Sequence, residues 1–89
     1  MNLDTKLSVP PQVMSRQVGD ETVLLDLASG IYFGVDGVAK LIWEAVADGN
    51  SLGEAAAAVA AEFEVDEATA QADAVAFAND LVERGLLVQ

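Results

Sequence analysis

The 89-residue sequence contains no cysteine and no histidine. Without thiols there is no disulfide and no thiolate metal site, which fits a reducing compartment. Without thiol or imidazole, most pairings of nucleophile and base are also missing. Ser8, Ser15, Ser29 and Ser51 have no evident base to activate them. Cations are scarce: Lys6, Arg16, Lys40 and Arg84 stand against 15 acidic residues, for a formal net charge of −11. Nucleic-acid binding draws most of its affinity from cations against phosphates, so this chain repels DNA, RNA and anionic membrane surfaces. The charge confers solubility, and it would also speed the approach of a basic partner. The longest wholly apolar run, Ala55 to Ala61, is too short to cross a bilayer. The N-terminal MNLDTKLSVPPQ lacks a basic stretch followed by an apolar one, so it does not read as a signal peptide. A soluble cytoplasmic protein is expected, with no metal, no cofactor, no nucleic acid and no membrane among its partners.

What is present is apolar side chains, 53% of the residues, enough for one small core. Residues 1–12 show no period and end in Pro10-Pro11, so a flexible, extended lead-in is expected, followed by one domain over residues 13–89. Val13 to Val18 reads as a strand. Gly19-Asp20 suits a two-residue hairpin with glycine at its first position. Glu21 to Leu27 alternates, with Val23, Leu25 and Leu27 on one face and Thr22, Leu24 and Asp26 on the other. After the turn Ala28-Ser29-Gly30 comes a third strand, Ile31 to Val35. There Ile31, Phe33 and Val35 face one way, and Tyr32 and Gly34 the other.

The period then changes. Val38, Leu41, Ile42, Ala45 and Val46 have the spacing of one helix face, with Trp43 beside it, and Asp48-Gly49-Asn50 stops that helix. Ser51-Leu52-Gly53-Glu54 is a capping box that opens a second helix, expected to bury Leu52, Ala56, Val59, Ala60 and Phe63. Asp66 is a good N-cap for a third helix from Glu67 to Arg84, closed by Gly85. That helix carries two apolar stripes. Ala70, Ala74, Phe77 and Leu81 form one, expected to face the core. Val75, Ala78 and Val82 form the other, about 120° around the axis, which needs a second surface. The fold class is α+β, a three-stranded antiparallel meander followed by three helices.

No group stands out as catalytic. The acidic cluster Glu62, Glu64, Asp66 and Glu67 lies at a helix junction, where Asp66 and Glu67 complement the positive end of the third helix. It lacks the spacing of a calcium loop. The third strand is more informative. It ends a meander, and Ile31 to Val35 carries no charge and no proline to protect an open edge. Gly34, a glycine inside a strand, marks the close approach of another backbone. An open edge beside an apolar helix stripe suits a peptide added as an extra strand.

The ordered set Gly30, Tyr32, Ile42-Trp43, Asp48-Gly49, Asp73, Phe77, Leu81 and Gly85-Leu86-Leu87 resembles the PqqD-like family over roughly residues 20–88. The resemblance implies a RiPP recognition element, a small winged-helix-like domain that binds the leader segment of a ribosomally made precursor peptide and presents it to a peptidase or modifying enzyme. It also implies a site at the third strand and the groove beside the third helix. The residues expected there are Gly30, Ile31, Tyr32, Phe33, Gly34 and Val35, with Gln71, Val75, Ala78 and Val82 from the helix. Among the family, the chain looks most like the leader-binding protein of lasso-peptide clusters, partnered by a leader peptidase. The alternatives are a peptide chaperone for a radical SAM enzyme, as in pyrroloquinoline quinone synthesis, and a non-catalytic oligomerisation or interaction module.

Overall fold

The computed structural model describes all of residues 1–89. Three strands, β1 (Val13–Val18), β2 (Glu21–Asp26) and β3 (Tyr32–Val35), form an antiparallel sheet in the order β1-β2-β3. Three helices follow, α1 (Gly37–Ala47), α2 (Leu52–Phe63) and α3 (Glu67–Glu83). The meander and helix order expected from the sequence are therefore present, with β2 and β3 each one residue shorter than read.

Local chemistry sets the turns. Gly19, at φ +63°, lets Val18 pair directly with Glu21 across a two-residue link. Between β2 and β3, the carboxylate of Asp26 accepts from the N–H of Ala28 at 2.9 Å, and the hydroxyl of Ser29 accepts from that of Ile31 at 3.2 Å. The capping box of α2 is complete: the Ser51 N–H donates to Glu54 Oε1 at 2.8 Å, and the Glu54 N–H to Ser51 Oγ at 3.1 Å. At the end of α3, Gly85 has φ +75°, its N–H donates to the Val82 carbonyl, and the Leu86 N–H donates to that of Leu81. This Schellman turn swings Leu86 and Leu87 back into the core, where both are buried.

The helices cover one face of the sheet. Val13, Thr22, Leu24 and Val35 point into that layer and are buried with Ile42, Trp43, Val46, Leu52, Val59 and Leu81. The opposite face is open: Met14, Val18 and Tyr32 are exposed on it, and Leu27, just beyond β2, is exposed as well. So the inward set of β2 is Thr22 and Leu24, and Val23 and Leu25 lie on the outer face. Alternation separates the two sets, but which one faces inward depends on where the helices pack. No helix is long and apolar enough to cross a membrane.

Three expectations are corrected. The first concerns the lead-in, which is held in place. The carbonyls of Thr5 and Leu3 accept from the N–H groups of Leu52 and Gly53 at 3.0 and 2.8 Å. Those donors belong to the first turn of α2 and have no partner within the helix. Ser8 and Val88 exchange backbone hydrogen bonds at 2.8 and 2.9 Å, and Leu7 is buried. The second concerns Phe63, which is 41% exposed at the last turn of α2, where the chain turns away through Glu64 at φ +54°. The third concerns α3. Ala78, 0% exposed, joins Ala70, Ala74 and Leu81 in the core, whereas Phe77 is only half-buried. Alanines let α3 lie close against α2, so the face that packs is the small one.

Candidate functional site

The edge of β3 is open, and the hydrogen-bond pattern shows which of its groups are free. In an antiparallel pair, residues bond alternately to one neighbour and then to the other side. The Asp26 N–H donates to the Ile31 carbonyl at 2.9 Å, and the Leu27 N–H donates to the Gln12 carbonyl at 2.8 Å. Even-numbered residues of β2 therefore bond to β3, and odd-numbered ones to β1. With Leu24 opposite Phe33 and Thr22 opposite Val35, the backbone groups of Phe33 and Val35 are used within the sheet. Those of Tyr32 and Gly34 point outward from the edge with no partner.

Beside this edge lies a mostly apolar cleft of about 230 Å³, lined by Ile31, Tyr32, Phe33 and Leu86 together with Asp26, Ser29 and Arg84. The guanidinium of Arg84, at the C-terminal cap of α3, covers the ring of Phe33. Tyr32 and Ile31 are 73% and 68% exposed, among the most open apolar groups of the chain. A larger and more polar depression, about 450 Å³, lies between β1 and the end of α1 and includes Arg16, Glu44 and Asp48. We favour the smaller cleft because its walls are more apolar and it adjoins an unprotected edge, whereas β1 carries Arg16 and follows Pro10-Pro11. No three acidic side chains are grouped closely enough to hold a metal ion.

The residues singled out from the sequence divide into several groups. Gly30, Ile31, Tyr32, Phe33 and Gly34 lie together at the β3 edge and its turn. Val35 does not join them: its side chain is buried at 4% exposure and its backbone bonds to β2. Ala78 is likewise removed, because a side chain with no exposed surface cannot touch a ligand. Gln71, Val75 and Val82 are half-buried on α3. At 1.5 Å per residue, Gln71 lies roughly 20 Å along the axis from Arg84, so it is far from the cleft. Four residues lining the cleft were not singled out beforehand, Asp26, Ser29, Arg84 and Leu86. Asp26 and Ser29 come from the turn between β2 and β3, and Arg84 and Leu86 from the Schellman turn at Gly85, which brings the end of α3 against β3.

The acidic caps show the electrostatics of the surface. Glu54 titrates below the usual carboxylate range because it accepts from the Ser51 N–H and is bonded to the Ser51 hydroxyl. Asp66 is lowered by bonds from the Thr69 hydroxyl and then from the Thr69 and Ala68 N–H groups. Asp66 is the N-cap of α3 and Glu54 the N3 member of the capping box of α2, so these shifts are structural.

The family profile for coenzyme PQQ synthesis protein D (PqqD) matches residues 21–87. The solved structure of TbiB1 in complex with the TbiA(beta) leader peptide is similar to this chain at 36% identity and a TM-score of 0.84, covering 90% of this chain and 93% of that one. A lasso peptide synthetase B1 complexed with its leader peptide is similar at 29% identity and a TM-score of 0.88, covering 96% of this chain and all of the other, 100%. No curated protein sequence matches.

Proposed function

The chain belongs to the PqqD family, and on that footing we propose that it is a RiPP recognition element of lasso-peptide biosynthesis. It binds the leader segment of a precursor peptide and delivers it to a leader peptidase or another maturation enzyme. The family's name points to quinone-cofactor synthesis, but both solved relatives are leader-bound proteins and one is a lasso synthetase component. That favours the lasso pathway over a chaperone for a radical SAM enzyme. The role is binding in the cytoplasm, without turnover, and needs no cofactor.

The observation that carries the mechanism is the unpaired backbone of Tyr32 and Gly34 at the mouth of an apolar cleft. A leader segment laid along β3 would bond to those N–H and C=O groups, which gives affinity with little regard to sequence. Its inward-pointing side chains would enter the cleft between Phe33, Arg84 and Leu86, which gives selectivity.

Fluorescence polarisation against the labelled leader of the precursor encoded beside the gene tests this reading. Tyr32→Pro removes an N–H that points away from β2, so the sheet tolerates it. One lost hydrogen bond is worth about 0.5–1.5 kcal/mol, so Tyr32→Pro should bind up to about tenfold more weakly than Tyr32→Ala. Equal affinities for the two variants would place the leader elsewhere.

A further inference from the structure

We propose that Glu21 reads one side chain of the bound leader, selecting Lys or Arg at the position paired with Gly34. This rests on leader binding along β3.

Glu21 begins β2 on the outer face of the sheet. Val23 is opposite Gly34, so Glu21 is its diagonal neighbour on the same face. Because Gly34 has no side chain, the Glu21 carboxylate lies across it. A methyl group on Gly34 would sit 2.7 Å from Cδ and Oε1 of Glu21 and 2.8 Å from Oε2. The close approach that the strand glycine allows is thus to a carboxylate.

That carboxylate has no cation of its own. The chain's one ion pair joins Arg84 to Asp80. Arg16, opposite Val23, is the diagonal neighbour of Glu21 across β1 but makes no ion pair with it, and Lys40 donates to the Asp20 carbonyl at 3.4 Å. Gly34 is also one of the two β3 residues with free edge groups, so an added strand must pair with it. The paired residue projects its side chain onto the same outer face, where directly opposite Cβ positions stand about 4.5–5.5 Å apart. With no Gly34 side chain between them, that side chain meets the carboxylate. A cation gains an ion pair there, and an acidic side chain meets like charge. The net charge of −11 acts in the same sense but favours cations along the whole peptide. Glu21 adds preference at a single position.

The test is a charge-swap scan. The leader of the precursor encoded beside the gene is synthesised with Lys, and separately with Glu, at each position in turn. Binding to the unaltered protein and to Glu21→Lys is measured by fluorescence polarisation at low salt. At one leader position the unaltered protein should prefer Lys by about fivefold, the scale of an exposed ion pair, and Glu21→Lys should reverse that preference. Glu21→Gln removes the charge while keeping the shape, so it should abolish the preference at that same position. If the leader binds but Glu21→Lys reverses no position, the inference is overturned and leader binding stands. If the unaltered protein does not bind the leader, both are overturned.

Discussion

The guanidinium of Arg84 lies 4.7 Å from the centroid of the Phe33 ring, while its Nε donates to both oxygens of Asp80 at 3.1 and 3.2 Å. This contact ties the end of α3 to the open strand and forms one wall of the cleft. Both charged side chains are about half exposed, at 50% and 46%, so the contact adds little to stability. An exposed ion pair contributes about 0.2–1 kcal/mol and an exposed cation–π contact about 0.5–1 kcal/mol. Arg84→Ala should therefore lower the unfolding free energy by about 1 kcal/mol in a urea titration. Leader affinity should fall from the unaltered protein to Arg84→Lys to Arg84→Ala, because lysine keeps the charge but not the planar stack. Unchanged affinity in Arg84→Ala would remove the cleft from the binding site.

Amide exchange should separate the two halves of the β3 backbone. Phe33 and Val35 bond within the sheet and should exchange slowly with or without leader. Tyr32 and Gly34 should exchange quickly in the free protein and slow on binding. Residue-resolved exchange by NMR would show this alternation. Slowing confined to Val13–Val18 would mean that the leader adds to the other edge of the sheet.

Two positions on α3 test which side faces the core. Ala78→Asp buries an unpaired charge where no surface is exposed, and should cost several kcal/mol, on the order of 3–5, leaving the domain largely unfolded. Val82→Asp is half-buried, and should cost about 1–2 kcal/mol and retain the fold. Phe77→Ala, also half-buried, should cost about 2 kcal/mol, below the 3–5 expected for a fully buried ring. Circular dichroism during urea unfolding ranks the three. An Ala78→Asp protein as stable as Val82→Asp would contradict the packing of α3 on α2.

Acid should act on stability in two opposing ways. Moving from neutral pH towards the sequence pI of about 4.1 relieves the self-repulsion of a chain at −11, so stability should first rise. Glu54 and Asp66 are both lowered by folding, from 4.5 and 3.8. Their stabilisation is complete above those values and disappears as pH falls through the lower folded values. Melting temperature against pH should therefore pass through a maximum and then drop. Glu54→Gln removes one of the two titrating groups while leaving an acceptor for the Ser51 N–H, and should make the acid limb shallower. An acid limb unchanged by Glu54→Gln would assign it to other carboxylates.

The elements were legible because each has its own period or stop signal: Gly19 between strands, the Ser51 box, Asp66 and Gly85. The open edge was legible too, since a short meander must end in one. The face of α3 was not. A helical wheel gives angles between Ala78 and Phe77 but not which direction the neighbouring helix occupies, and here the smaller residue packs inside. The lead-in was misread for a related reason. The N–H groups of Leu52 and Gly53 need acceptors, but nothing in residues 1–12 marks Leu3 and Thr5 as the carbonyls that supply them. The neighbour of Gly34 was recoverable once the strand register was known, since Glu21 is then its diagonal partner.

The protein has one tryptophan and one tyrosine, in opposite surroundings: Trp43 is 2% exposed in the core, and Tyr32 is 73% exposed on the open edge of β3. The two chromophores therefore report different events. Indole emission follows the integrity of the interior, because only unfolding brings water to that ring. Phenol absorbance and its near-ultraviolet dichroism should follow occupancy of the strand, because a peptide docked there as proposed covers that ring and leaves the interior as it was. A single unlabelled sample thus carries separate optical channels for unfolding and for association.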